Sequence, residues 1–216
     1  MDLGQQILLM LGGVGNTLII SILSFFMGIL LGLPLAFVRA YEKDLAIFVD
    51  VFEKVFRGVP EIVLMLLFYF GLGLYLPFPF GNVFFTATFV LGLRSAANQS
   101  QIFRGAIRGV GEEQMVAGRS LGLSTTESIT HVMMPQVFIF STPGLGSEYA
   151  LLIKDSAYAW VLGVAELFKN MDLVRANTYN FVTPYAVGAL LYIALTFPIA
   201  TWLDSWGNKK KKELGL

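Results

Sequence analysis

No cysteine occurs in the 216 residues, so neither a disulfide framework nor a thiolate metal site is available, and the redox compartment is not legible. The single histidine, His131, has no second ligand nearby and reads as a polar residue at a membrane edge rather than a metal ligand. Charge is scarce as well: Asp, Glu, Lys and Arg make up 14% of the chain, against about a quarter in soluble globular domains. No nucleophile, base and orienting-acid set emerges, which argues against an intramembrane enzyme. A Gly-x-x-x-x-Gly-Lys-Ser/Thr stretch is also missing, so this chain is not itself an ATPase, and any ATP and Mg would be held by another chain.

What is abundant is apolar sequence, at 56% of residues. A run of roughly 20 mainly apolar residues spans the hydrocarbon core of a bilayer. Five such runs stand out: about Val14 to Val38, Val59 to Leu76, Val83 to Ile107, Val132 to Ala157, and Pro184 to Trp206. The expectation is an all-α integral membrane bundle, a single domain over 1–216 with five transmembrane helices. The first run lacks a basic n-region and a small-x-small cleavage site, so it reads as a permanent helix rather than a signal peptide.

Basic residues are retained on the cytoplasmic side of membranes. Arg39, Lys43, Lys54 and Arg57 fall between runs one and two, Arg104, Arg108 and Arg119 in or beside the loop between three and four, and Lys209 to Lys212 after run five. The opposite side carries Lys169 and Arg175. The N-terminus is therefore expected outside and the C-terminus inside a plasma (inner) membrane. The lysine tail reads as a solvated terminus near anionic lipid.

The most polar loop on the inner side runs from about Gly109 to His131 and contains "EEQMVAGRSLGL". Its rhythm predicts two short helices joined at Gly122. Met115, Leu121 and Leu123 would supply apolar contacts, Arg119 and Ser120 would face water, and Gly118 with Gly122 would leave a flat patch. In "LSTTESI", Ser124 or Thr125 is placed to cap the second helix, with Glu127 closing a capping box. By itself this could be an ordinary hairpin tying two membrane helices together.

The stretch "GVGEEQMVAGRSLGLSTTESITHVMMPQ" resembles the cytoplasmic coupling loop, the EAA loop, of permease subunits of ATP-binding-cassette importers in the polar amino acid branch. Matching positions are Gln114, Ala117, Arg119, Ser120, Leu121, Gly122, Pro135 and Gln136. "RGVPEIVLMLLFYFGL" is similar to the family's Arg-Gly-Thr-Pro opening of the second span, and "LGSEYALLIKDSA" to its Leu-Gly-Asn-Glu-Phe block. The signature Glu of the loop falls on Val116, with Glu112 and Glu113 one turn earlier on the same face. The resemblance implies a transport subunit that works with two cytoplasmic ATPases, a second permease subunit, identical or homologous, and an extracellular or periplasmic amino-acid-binding protein. It further implies ATPase-coupling roles for Gln114, Ala117, Gly118, Arg119, Leu121 and Gly122.

An ionisable group inside hydrocarbon costs about 2.5 kcal/mol or more unless it faces a cavity or a partner. Run three places Arg94, Asn98 and Gln101 on one helical stripe, and run four places Glu148 and Asp155 likewise, with Ser147, Lys154 and Ser156 alongside. The two stripes predict a hydrophilic seam that could bind substrate through Glu148, Arg94, Asn98, Gln101 and Ser147. Glu148 would take an α-amino group and Arg94 an α-carboxylate. The competing expectation is that Arg94 or Lys154 pairs with a carboxylate merely to hold helices. A secondary transporter or a structural subunit without its own path are the alternatives; the first would usually show inverted repeats, which are not evident here.

Overall fold

A computed structural model describes residues 2–214, and every regular element among them is helical. In chain order these are α1 (Leu3–Leu11), α2 (Val14–Tyr41), α3 (Ala46–Gly58), α4 (Glu61–Leu66), a π-helical turn (Leu67–Leu72), α5 (Gly73–Tyr75) and α6 (Pro77–Phe80). Then follow α7 (Val83–Val110), α8 (Glu112–Ser120), α9 (Thr125–Glu127), a second π-helical turn (Ser128–Met133) and α10 (Met134–Asp155). A 3₁₀ segment (Ser156–Leu162), α11 (Leu167–Thr178) and α12 (Thr183–Leu214) complete the chain.

The central element is α7, packed against α2, α10 and α3. On the facing side of α2 the buried residues Thr17, Ser21, Ser24, Gly28 and Gly32 recur at three- and four-residue spacing. Such small side chains let two helix backbones approach closely. Their hydroxyls are satisfied on carbonyls: Ser21 Oγ donates to Thr17 O at 2.7 Å, and Ser24 Oγ to Thr88 O at 2.9 Å. Phe103, Met133 and Val137 form one apolar core that reaches Met115 of α8. Ile20, Met65, Leu91 and Leu152 form a second, and Met10, Leu167, Met171 and Val174 a third that fastens α11 to the chain's start.

Four of the expected runs coincide with long helices, α2, α7, α10 and α12. Length and apolarity alone qualify the α1–α2 stretch and α12 as membrane spans, and a bent helix pair as a third. That pair holds the main departure from expectation. Residues 46–58, expected as a loop between runs one and two, form α3 and lie along α7. Pro60 has no N–H and drives Val59 into extended backbone (φ −96°, ψ 132°). The axis therefore turns by 103° between α3 and the Glu61–Tyr75 segment. Arg57, counted among loop charges, is carried to the level of Asn98, midway along α7.

The last helix also exceeds expectation, because α12 continues through the lysines. Lys210 Nζ meets Glu213 Oε2 at 2.6 Å, and Lys211 lies over the Phe140 ring at 4.9 Å. The segment between α10 and α12, unassigned from sequence, is ordered by Glu166. Its carboxylate accepts the N–H groups of Phe168 (2.7 Å) and Lys169 (2.6 Å), capping α11, and the Tyr192 hydroxyl at 3.2 Å. Burial pushes its pKa up to about 7 against these bonds, which favour the charged form.

Candidate functional site

The polar stripes meet. Asn98 Nδ2 donates to Glu148 Oε2 at 3.2 Å, and Asn98 Oδ1 accepts from Arg57 Nε at 3.0 Å. Glu148 is 2% exposed; the buried Ser95 hydroxyl stands beside its carboxylate, and Oε1 makes no hydrogen bond. A carboxylate oxygen buried in this way is costly unless something comes to it.

The remaining expected residues are placed differently. Arg94 donates to Asp155 at 2.7 Å and also pairs with Glu61. Its guanidinium clasps α4, α7 and α10 together and is already engaged by two carboxylates. This corrects its expected role as a free carboxylate anchor and matches the helix-holding alternative. Gln101 turns to α3, where it donates to Glu53, and Arg104 donates to Gln101 in turn. Glu53, 4% exposed, also accepts Ser100 Oγ at 2.7 Å. Gln101 therefore belongs to the α3–α7 contact rather than to the Glu148 pair. Ser147 is exposed, unlike the adjacent Glu148, and donates to Pro143 O at 3.1 Å. Lys154 is exposed as well.

Sequence reasoning missed Glu53, Arg57 and Glu61. Glu61 stands in the first turn after Pro60, where an acid suits the positive end of a helix dipole, so its reach to Arg94 had no local sign. Glu53 and Arg57 are four residues apart on one face of α3, a spacing hidden by reading the segment as a loop.

The loop between α7 and α10 forms the expected hairpin. α8 ends in a Schellman motif: Leu123 N–H donates to Gly118 O at 3.2 Å and Gly122 N–H to Arg119 O at 3.0 Å. This requires the left-handed φ of +86° at Gly122. Ser124 is the cap of α9, with Glu127 closing the box at 2.8 Å on Ser124 N, and these bonds hold the exposed Glu127 carboxyl below its usual pKa.

Within the hairpin, Gly118 is buried rather than part of an outward patch; a Cβ there would stand 2.8 Å from Ser128 Oγ. Gln136 Nε2 donates to Gln114 Oε1 at 3.3 Å, bracing α8 against α10. Met115 is buried as expected, but Leu121 is 84% exposed, which corrects its expected packing role. With Val116 at 62% exposure and Ala117 also exposed, it forms an apolar crest flanked by Arg119.

The family model described as "Binding-protein-dependent transport system inner membrane component" matches residues 24–209. The chain is 35% identical over 188 residues to the arginine ABC transporter permease protein ArtQ of Haemophilus influenzae, covering 83% of each. It is 31% identical over 197 residues to the glutamine transport system permease protein GlnP of Escherichia coli K12, covering 89% of this chain and 88% of that one. Among solved structures, it superposes with TM-score 0.82 and 28% identity on an amino acid ABC transporter crystallised with histidines, covering 97% of this chain and 99% of the other. The inward-facing MetNI methionine transporter shares the fold at TM-score 0.82 and 19% identity. A three-helix polar seam, a capped hairpin between two long helices and these likenesses converge: the chain belongs to the binding-protein-dependent transport system inner membrane component family, alongside the permease subunits of amino-acid ABC transporters.

Proposed function

We propose that this chain forms the path for a polar amino acid together with a second permease subunit, identical or homologous. In this reading it crosses the membrane five times, with the N-terminus outside and the C-terminus in the cytoplasm. Two cytoplasmic ATPases hold ATP and Mg, and an extracellular or periplasmic binding protein delivers substrate. The crest of Val116, Ala117 and Leu121, with Arg119 beside it, seats in an ATPase groove. Gln114, Gly118 and Gly122 act from within, keeping the hairpin rigid enough to transmit motion to α7 and α10.

The observation that carries the reading is Glu148, a buried carboxylate with one oxygen on Asn98 and the other unpartnered. A substrate ammonium would supply the missing donor. The substrate carboxylate needs a donor other than the engaged Arg94, and the Asn98 amide and the Ser95 hydroxyl both stand beside Glu148.

Purification of the complex from its native membrane, identification of its subunits by mass, and competition by individual L-amino acids in reconstituted vesicles test the proposal. Co-purified ATPase and uptake of an amine-bearing amino acid are expected. A complex without an ATPase, or uptake independent of ATP, would overturn it.

A further inference from the structure

Two cavities open beside the coupling hairpin and share the walls Arg39 and Arg104. One, of about 400 Å³, lies among Arg39, Tyr41, Arg104, Arg108, Gly111 and Glu112. The other, of about 600 Å³, lies among Arg39, Asp50, Glu53, Lys54, Arg57 and Arg104. Together they gather five cations, Arg39, Lys54, Arg57, Arg104 and Arg108, against three anions, Asp50, Glu53 and Glu112.

Some of that charge is spoken for. Arg39 Nε lies 2.7 Å from Asp50, Arg104 is 4.0 Å from Glu53, and Arg57 bonds Asn98. Lys54 and Arg108 have no carboxylate within ion-pair distance among the described residues. Retention of basic residues on one side of the membrane accounts for the sign of the charge. It does not account for the convergence. Nor do the C-terminal dipoles of α2 and α7, which Arg39 and Arg108 offset, explain why Lys54 and Arg104 face the same space.

We infer that the first cavity is a binding site for a phosphate group, held by the unpaired Arg108 with Arg39 and Arg104 turning to it from their present partners, while Lys54 adds charge from the second. Guanidinium forks match phosphate oxygens bidentately, and the Tyr41 hydroxyl offers a further donor. The phosphate comes either from an anionic phospholipid headgroup or from a soluble phosphate compound. The chemistry is the same, and the position is what matters: Gly111 and Glu112, the hinge and first residue of α8, form one wall. A phosphate seated there repels the carboxylate of Glu112 and so bears on the hairpin's setting. This inference stands apart from the substrate reading at Glu148.

The test uses the complex purified with its ATPase. In the lipid arm, native mass spectrometry counts phosphatidylglycerol and phosphatidylcholine retained from mixed vesicles by the wild type and by Arg104→Gln/Arg108→Gln. In the soluble arm, titration calorimetry in neutral detergent follows inorganic phosphate. Lys169→Gln/Arg175→Gln, which removes the same charge from α11 on the opposite side, serves as control, and Arg108→Lys keeps the charge where the double variant fails to assemble. Expected is preferential phosphatidylglycerol retention or phosphate binding, weakened about tenfold or more in the cavity variant and unchanged in the control. Retention in the first arm assigns a lipid, and binding in the second alone assigns a soluble phosphate. Neither ligand bound, or an equal loss in the α11 control, would overturn the inference.

Discussion

Asn98 stands between Arg57 and Glu148, accepting from the first at 3.0 Å and donating to the second at 3.2 Å, so the amide orients a carboxylate that has no cation of its own in contact. Glu148→Gln keeps the shape and an acceptor for Asn98 but loses the charge. Uptake should fall by about tenfold or more, the loss of a charge-assisted hydrogen bond of roughly 1.5–3 kcal/mol, while the complex assembles normally. Arg94→Gln should behave oppositely. It strands Glu61 and Asp155, a penalty of about 3–5 kcal/mol for breaking a buried pair, and assembly should suffer first. Adding Asp155→Asn to Arg94→Gln should restore part of that assembly. Measuring subunit recovery and uptake separately distinguishes the two positions; impaired assembly in Glu148→Gln would make it a packing residue and remove it from the path.

Gly122→Leu forces a branched side chain into φ +86° at a cost of about 1–3 kcal/mol, concentrated in the Schellman turn. The membrane helices should persist, while stimulation of ATP hydrolysis by substrate is lost. Gly122→Asn, better tolerated in left-handed backbone, should retain much of it. Leu121→Asp leaves the turn intact and charges the exposed crest, so ATPase co-purification should drop. Unchanged ATPase recovery and coupling in both Gly122→Leu and Leu121→Asp would dismiss the lever.

Glu166 yields a pH dependence. Its folded pKa of about 7 stands above the ordinary 4.5, so the folded chain holds a proton that the unfolded chain has released between those values. Stability from this group is therefore complete below about pH 4.5 and declines as pH rises toward 7, by about 1.4 kcal/mol per unit at most. Thermal melting of the purified complex between pH 5 and 8 should show this decline. Glu166→Gln, still an acceptor for Phe168 N–H and Lys169 N–H, should flatten it; parallel curves for the two proteins would place the dependence elsewhere.

Because the chain has no cysteine, single introduced thiols report sidedness without background. Thr126→Cys, in the hairpin, should be labelled only from the cytoplasm, and Asn177→Cys, exposed on α11, only from outside. Labelling of Asn177→Cys from the cytoplasm would invert the orientation.

What could be read from the sequence follows the range of the interactions involved. The hairpin was legible because its determinants are local: Ser124 and Glu127 cap within one turn, and Gly122 marks the bend by its own φ. The long helices were legible from apolar length. That Arg94 meets a carboxylate was one of two readings, but its partners were not legible, since Glu61 and Asp155 lie 33 and 61 residues away and any of several carboxylates in the chain could have met that guanidinium. α3 was lost for a different reason. Its polar side faces α7, while Ile47, Phe48, Val51 and Val55 are exposed, so inside and outside are reversed relative to a soluble helix and the segment resembled a charged loop.

The bonds along α3 make it a splint. Arg57 at one end is tied to Asn98, and Glu53 one turn earlier to Ser100 and Gln101, so α3 and α7 move as one rigid body over that length. Bending is then confined to the joint at Gly58–Pro60, where the axis already turns by 103° and the backbone ladder is broken. If the hairpin pushes α7 as proposed, the Glu61 segment should swing about this joint, with Arg94, bridging both sides of it, as the strap that limits the swing. Spin labels on α3 and α7 should keep one separation through the ATP cycle, while labels on α3 and the Glu61–Tyr75 segment change theirs.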